Sequence, residues 1–236
     1  MVKDYVAFDL ETTGLNCERD EIIEIGALKV KDGKVTERFA RLIQPKLSVP
    51  PEITAITGIT NEMLESAPPV EKVIPEFVLF CRDEILLGHN VMFDYKFTKV
   101  YAKRYGLPFE KKGLDTLKIA RKVLPELESR SLGALCEHYE IVNQAAHRAY
   151  HDALATAKIY HMLAHFYEEK YPALFEPESL VYHQKKVSPA TAKQKAYLNE
   201  LLKYHKIEFN QDMDTMTKSE MSRMIDKIIL VHGRMF

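Results

Sequence analysis

An apolar run, Tyr5-Val6-Ala7-Phe8, passes without a break into Asp9-Leu10-Glu11-Thr12-Thr13-Gly14. The run has the composition of a buried β-strand, so the chain must supply neighbours to cover it. Asp9 and Glu11 are two residues apart, and on a strand both carboxylates leave the same face. Two like charges held beside a core repel each other and lose hydration. A divalent cation removes that penalty, and carboxylate oxygens suit magnesium and manganese. Taken alone, D-x-E is an ordinary solvated strand end. Further acids are needed to make it a site.

The neighbours follow directly. Residues 22–30 have the pattern of a second strand, Asp32-Gly33 is a hairpin signal, and residues 34–43 return as a third. A loop punctuated by Pro45, Pro50 and Pro51 leads to Thr57-Gly58, and Thr60 can cap a short helix that stops before Pro68-Pro69. The spacing predicts helices over 70–81 (interrupted or delayed by Pro75), 93–105, 116–123, 132–139 and 149–169, with a short strand at 85–88. Three antiparallel strands, then parallel strands alternating with helices, define an α/β fold with a mixed sheet flanked by helices. Residues 1–170 form this domain, and 171–186, carrying Pro172 and Pro177, are expected to be a linker. Residues 187–236 are expected to form a small helical module. Ser188-Pro189 would start its first helix, with a stripe of Tyr197, Leu198, Leu201 and Leu202. Thr217 to Glu220 is a capping box before a second stripe of Met221, Met224, Ile225, Ile228 and Ile229.

The charge balance, 33 Lys+Arg against 34 Asp+Glu, gives no global basic field. That argues against a sequence-reading DNA binder but not against an enzyme gripping a strand locally. The tail from residue 187 is mildly basic, at +2, against −3 for the rest. Three widely spaced cysteines, Cys17, Cys81 and Cys136, are expected to be reduced thiols, which predicts a cytoplasmic protein. No signal peptide is expected at the N-terminus, and the apolar runs are too short to span a membrane.

Two further clusters carry acids. Asp94, in His89-Asn90-Val91-Met92-Phe93-Asp94, falls in the first turn of an expected helix, where the dipole tolerates an anion. His147-Arg148-Ala149-Tyr150-His151-Asp152 places a histidine just before the long helix and an acid early in it. With Phe8 to Gly14, these stretches resemble, in order, the three motifs of the DEDDh family of 3′-to-5′ exonucleases, which have a ribonuclease H-like fold. Residues 22–27, Asp115-Thr116-Leu117 with Ala120-Arg121, and Leu132 with Leu135-Cys136 also match, so the resemblance covers about residues 4 to 168. His147, five residues before Asp152, is similar to the histidine branch, which includes the proofreading epsilon subunits of bacterial DNA polymerase III.

The resemblance implies a two-metal site holding Mg2+ or Mn2+. Asp9 would bridge both ions, Glu11 and Asp152 complete the one on the water side, and Asp94 hold the other. His147 would be the general base, since imidazole titrates near neutrality. Thr12, Leu15 and Phe93 match positions that hold or wedge the terminal nucleotide, and Asn90 would orient the site. Many relatives carry histidine before Gly58, where this chain has Thr57. The expected substrate is a single-stranded 3′ end of DNA, with RNA trimming as the alternative and a non-catalytic binding module ranked below both. The tail helices would dock a replication or repair protein, bind nucleic acid, or buttress the domain.

Overall fold

The structure is a computed structural model, and it describes residues 1–143, 145–184, 188–209 and 212–234. Two units are distinct, Met1–Tyr182 and His183–Phe236.

In the first unit, β1 (Tyr5–Thr12) runs through the interior of a six-stranded sheet. β2 (Ile22–Lys31) pairs with it antiparallel, and β3 (Lys34–Leu42) pairs antiparallel with β2. The hairpin between them turns at Asp32 and Gly33, both at positive φ (49° and 74°), which a two-residue turn of the strands' own twist needs.

The next stretch departs from the expected loop. Pro51 opens a helix, α1 (Pro51–Thr57), because its ring presets the first helical φ, and Gly58 closes it at φ 69°. Thr60 caps α2 (Asn61–Leu64) as expected. α3 (Val70–Cys81) keeps Pro75 inside it. β4 (Leu86–Gly88) then pairs parallel with β1, and α4 (Met92–Arg104) follows. β5 (Lys111–Asp115) pairs parallel with β4 and ends at Asp115, whose side chain caps α5 (Thr116–Val123). α6 (Leu132–His138) and α7 (Ala149–Tyr167) complete the helices of this unit.

Part of the stretch expected to be a linker is built into this unit. A 3-10 turn, Pro172–Phe175, buries Phe175, and β6 (Glu178–Leu180) adds an antiparallel edge to β5. The sheet order is β3-β2-β1-β4-β5-β6. Its last strand is therefore antiparallel, where parallel strands were expected. Residues 185 and 186 of the expected linker, and Val187 at the expected start of the module, lie outside the described residues.

Alternation along β1 sorts two cores. Val6, Phe8 and Leu10 face α3 and α4, packing with Phe77, Tyr95 and Phe97. Tyr5 and Ala7 face the other way, with Leu28, toward Ala153, Ile159 and Tyr160 of α7. Among the described residues no helix is long and apolar enough to cross a membrane.

The second unit has its own small core. α8 (Ala192–His205) buries Leu198, Leu201 and Leu202 against Met221, Ile225 and Ile228 of α9 (Lys218–His232), with Met224 and Ile229 packed at the margin. Tyr197 is partly exposed beside this stripe. Thr217 and Glu220 form the expected capping box. Ser188-Pro189 does not start α8. Thr191 caps it in a second box with Gln194, while Pro189 is bridged to Thr217 and Ser188 accepts a hydrogen bond from the Lys218 N–H. Pairing of the two extended leads holds Pro189 out of the helix.

Candidate active site

The alternation that buries Tyr5 and Ala7 carries the same face of β1 onward to Asp9 and Glu11, where it turns from apolar to acidic. Asp152, in the first turn of α7, meets them there. One carboxylate oxygen from each of Asp9, Glu11 and Asp152 lies within 4.8 Å of the others. Asp94 arrives from the first turn of α4 and is buried. Its Oδ1 accepts a hydrogen bond from the Leu10 N–H at 3.0 Å, which fixes it on the backbone between Asp9 and Glu11.

Withdrawal from water holds Asp9 well above the usual carboxylate range, and the charges of Asp94, Glu11, Asp152 and Glu24 add to the effect. Glu11 is pushed up to about 8, by desolvation first and then by Asp152 and Glu24, while Arg148 pulls it down. Asp94 is raised by burial against the opposing Leu10 hydrogen bond. Asp152 is raised by burial as well, opposed by hydrogen bonds from Asn143 Nδ2 at 2.6 Å and the His147 N–H at 2.9 Å. A cluster of oxygen donors that resist ionising together is the donor set hard divalent cations match. The residues present fit such ions.

His147 is exposed and sits at φ 61°, a left-handed conformation uncommon for a residue with a side chain. Of the residues expected to contact substrate, Thr12 is buried and its hydroxyl donates to the Gly14 carbonyl at 2.6 Å. Leu15 is 87% exposed, with nothing of the core covering it. Phe93 is half-buried beside Phe97, ring centroids 5.1 Å apart. Asn90 is exposed at φ 69°, its N–H donating to Asp115 Oδ1. Thr57 is buried, and its hydroxyl donates to the Ile53 carbonyl and accepts from the Ile59 N–H. Its side chain serves the end of α1.

Three residues around the cluster carry no expectation from sequence as site residues. Asn143 holds Asp152 directly. Glu24, on β2 and directly across from Glu11, is buried and takes the Arg148 guanidinium. The pairing spans 124 residues, so no local pattern announces it.

A sequence model of the Exonuclease family, of the ribonuclease T type, matches residues 6–160. The chain belongs to that family, the 3′-to-5′ exonucleases of ribonuclease H-like fold whose three motifs it carries. Among individual proteins it is similar to the DNA polymerase III subunit epsilon of Aquifex aeolicus, 43% identical over 157 residues that make up 66% of this chain and 78% of that one. It is also 41% identical over 157 residues to the PolC-type DNA polymerase III of Caldanaerobacter subterraneus, spanning 66% of this chain but only 11% of that polymerase. Of solved structures, exonuclease X in complex with 5′ overhanging duplex DNA aligns with a TM-score of 0.57 and 28% identity, over 69% of this chain and 92% of that one. E. coli exonuclease I in complex with a dT13 oligonucleotide shares the fold, with a TM-score of 0.64 and 21% identity over 74% and 43% of the two chains.

Proposed function

We propose that this chain removes nucleotides from the 3′ end of single-stranded DNA, using two divalent cations, Mg2+ or Mn2+, and His147 as general base. The observation that carries the reading is the convergence of Asp9, Glu11 and Asp152, with Asp94 anchored on the same strand. Asp9, Glu11 and Asp152 would hold one ion, and Asp9 with Asp94 the other. Such ions supply countercharge for the phosphorane and its leaving oxygen and make water acidic enough to act at neutral pH.

The chain's own residues do the rest. Asp94 and Asp152 are held by hydrogen bonds before substrate arrives, so those two ligands need little reorganisation at the moment of reaction. His147 is tied at its backbone to Asp152 while its imidazole faces solvent, where a ring nitrogen can take the proton of the attacking water. We assign Thr12, Leu15, Asn90 and Phe93 to holding the terminal nucleotide, with exposed Leu15 and half-buried Phe93 offering apolar surface to its base. The relatives named as polymerase subunits, and the neighbours bound to DNA, support DNA as substrate.

The deciding experiment is a digestion ladder. A 5′-labelled DNA oligonucleotide should shorten stepwise with Mg2+, a 3′-labelled one should release its label as mononucleotide at once, and EDTA should stop both. A ladder from the 3′ label would reverse the polarity, and faster digestion of a matched RNA would move the substrate to RNA. His147→Ala should lower turnover by roughly 10²–10⁴-fold while leaving Mn2+ affinity intact by calorimetry. Unchanged turnover removes His147 as the base. We assign the helical unit to docking a replication or repair protein. Pull-down that survives deletion of residues 187–236 would leave it no such role.

A further inference from the structure

Glu24 is an anion that the acidic cluster could do without. It is 4% exposed, stands directly across the strand pair from Glu11, and its charge adds to the repulsion on Asp9 and Glu11. Its partner Arg148 is half-exposed, and an ion pair with one member in water and the other buried is a weak source of stability. Its geometry points to another use.

The Arg148 guanidinium straddles both Glu24 oxygens, with Nε at 3.3 and 3.2 Å and Nη2 at 2.9 Å from Oε1. Glu24 Oε2 also accepts from the Ala149 N–H at 3.0 Å. Arg148 is the cap residue just before α7, and its own side chain makes no capping hydrogen bond. The first free N–H of α7 is therefore satisfied by a carboxylate from β2, the charge that a helix N-terminus favours. Two residues before Ala149, the His147 N–H donates to Asp152 Oδ2. The backbone of residues 147–149 is thus pinned at both ends, and His147, at the first of them, sits in a left-handed conformation that needs its surroundings to hold it.

We propose that Glu24 and Arg148 are positioning residues that set His147 and Asp152 against the other carboxylates. This rests on the functional reading above. The role assigned to the pair needs no contact with substrate or cation. It seats the turn from which one residue projects a base and the other a ligand. Outer partners of metal ligands act in this way generally.

The test is Glu24→Gln, which keeps volume and leaves Arg148 free to reach solvent. Turnover on a DNA oligonucleotide should fall roughly tenfold or more, and Mn2+ affinity of the protein without DNA, by calorimetry, should fall by a comparable factor. KM should stay within about twofold, since the strand contacts are untouched. In an Asp152→Asn background the substitution should weaken Mn2+ binding no further, because the two act through one ligand. Arg148→Lys, which keeps the charge but loses the fork, is the second variant should Glu24→Gln fail to fold, and it should show the same losses in smaller measure.

Wild-type turnover and Mn2+ affinity in both variants would overturn the proposal. So would losses that multiply with those of Asp152→Asn, as a purely structural tie requires. If the wild-type protein itself neither binds Mn2+ nor digests DNA, the functional reading falls and the positioning role falls with it. A wild type that does both beside an unaffected Glu24→Gln sinks the positioning role alone.

Discussion

Asp9→Asn is expected to abolish nuclease activity and, in the absence of metal, to raise the melting temperature. The two effects share one cause. Asp9 is crowded by Asp94, Glu11, Asp152 and Glu24 and partly withdrawn from water, so its charge is costly in the folded, metal-free protein. Asparagine keeps the shape and removes the charge. The loss is at the reaction: countercharge worth several kcal/mol in the transition state corresponds to roughly a thousandfold or more in rate. Added Mn2+ should raise the melting temperature of the wild type, as any ligand of the folded state does, and leave the variant nearly unmoved.

The pH dependence has a definite sign. Asp9, Asp94, Asp152 and Glu11 all hold their protons more tightly when folded, with Glu11 at about 8. The folded state then binds more protons than the unfolded chain, so stability is fullest below the ordinary carboxylate range and is lost as pH rises toward 8. Melts in EDTA at pH 5 and pH 8 should show the wild type losing more than Asp9→Asn. A variant that melts below the wild type in EDTA at both values would contradict this account of the cluster.

How far the sequence foretells this site differs residue by residue. Asp9 and Glu11 follow from strand alternation alone, because Tyr5-Val6-Ala7-Phe8 fixes which face they share. Asp94 and Asp152 look locally like any acid in a first helical turn, and only the order of motifs singles them out. Their meeting depends on how α4 and α7 pack, a matter of tertiary contact that no window of sequence contains. The same holds for Glu24 and Arg148. Among the elements, α1 hides behind prolines that serve as its first turn instead of breaking it. β6 is a three-residue edge, Glu-Ser-Leu, with no alternation to read; its pairing with Lys111 to Gly113 makes it a strand. Ser188-Pro189 has the chemistry of a helix start, but pairing with the segment before α9 competes for it and wins.

Gly26→Ala should do the opposite of Asp9→Asn to stability and still cost most of the activity. Gly26 lies across from Asp9 on the face that meets α7. Its backbone is not left-handed, so φ gives no reason for glycine here, and filling such a position in open space would stabilise by about 0.4–1 kcal/mol. Space is the reason. A Cβ at Gly26 would lie 1.9 Å from the Tyr150 nitrogen and 2.1 Å from the Ala149 carbonyl carbon. Both are backbone atoms of the first turn of α7, and they cannot swing aside as a long side chain can. Fully buried Ala149 and Ala153 extend the same close approach along the helix. Relief requires α7 to back away from β2, and such overpacking costs about 1–3 kcal/mol or more. For a chain of this size each kcal/mol lowers the melting temperature by about 2–4 °C. The displaced turn carries His147 and Asp152 with it, and an error of about 1 Å at reacting groups costs on the order of a hundredfold in rate. Melting in EDTA and turnover on a 5′-labelled oligonucleotide measure the two halves separately. If Gly26→Ala kept both at wild-type values, β2 and α7 would not approach as closely as the site requires, and the convergence of Asp152 with Asp9 and Glu11 would lose its structural cause.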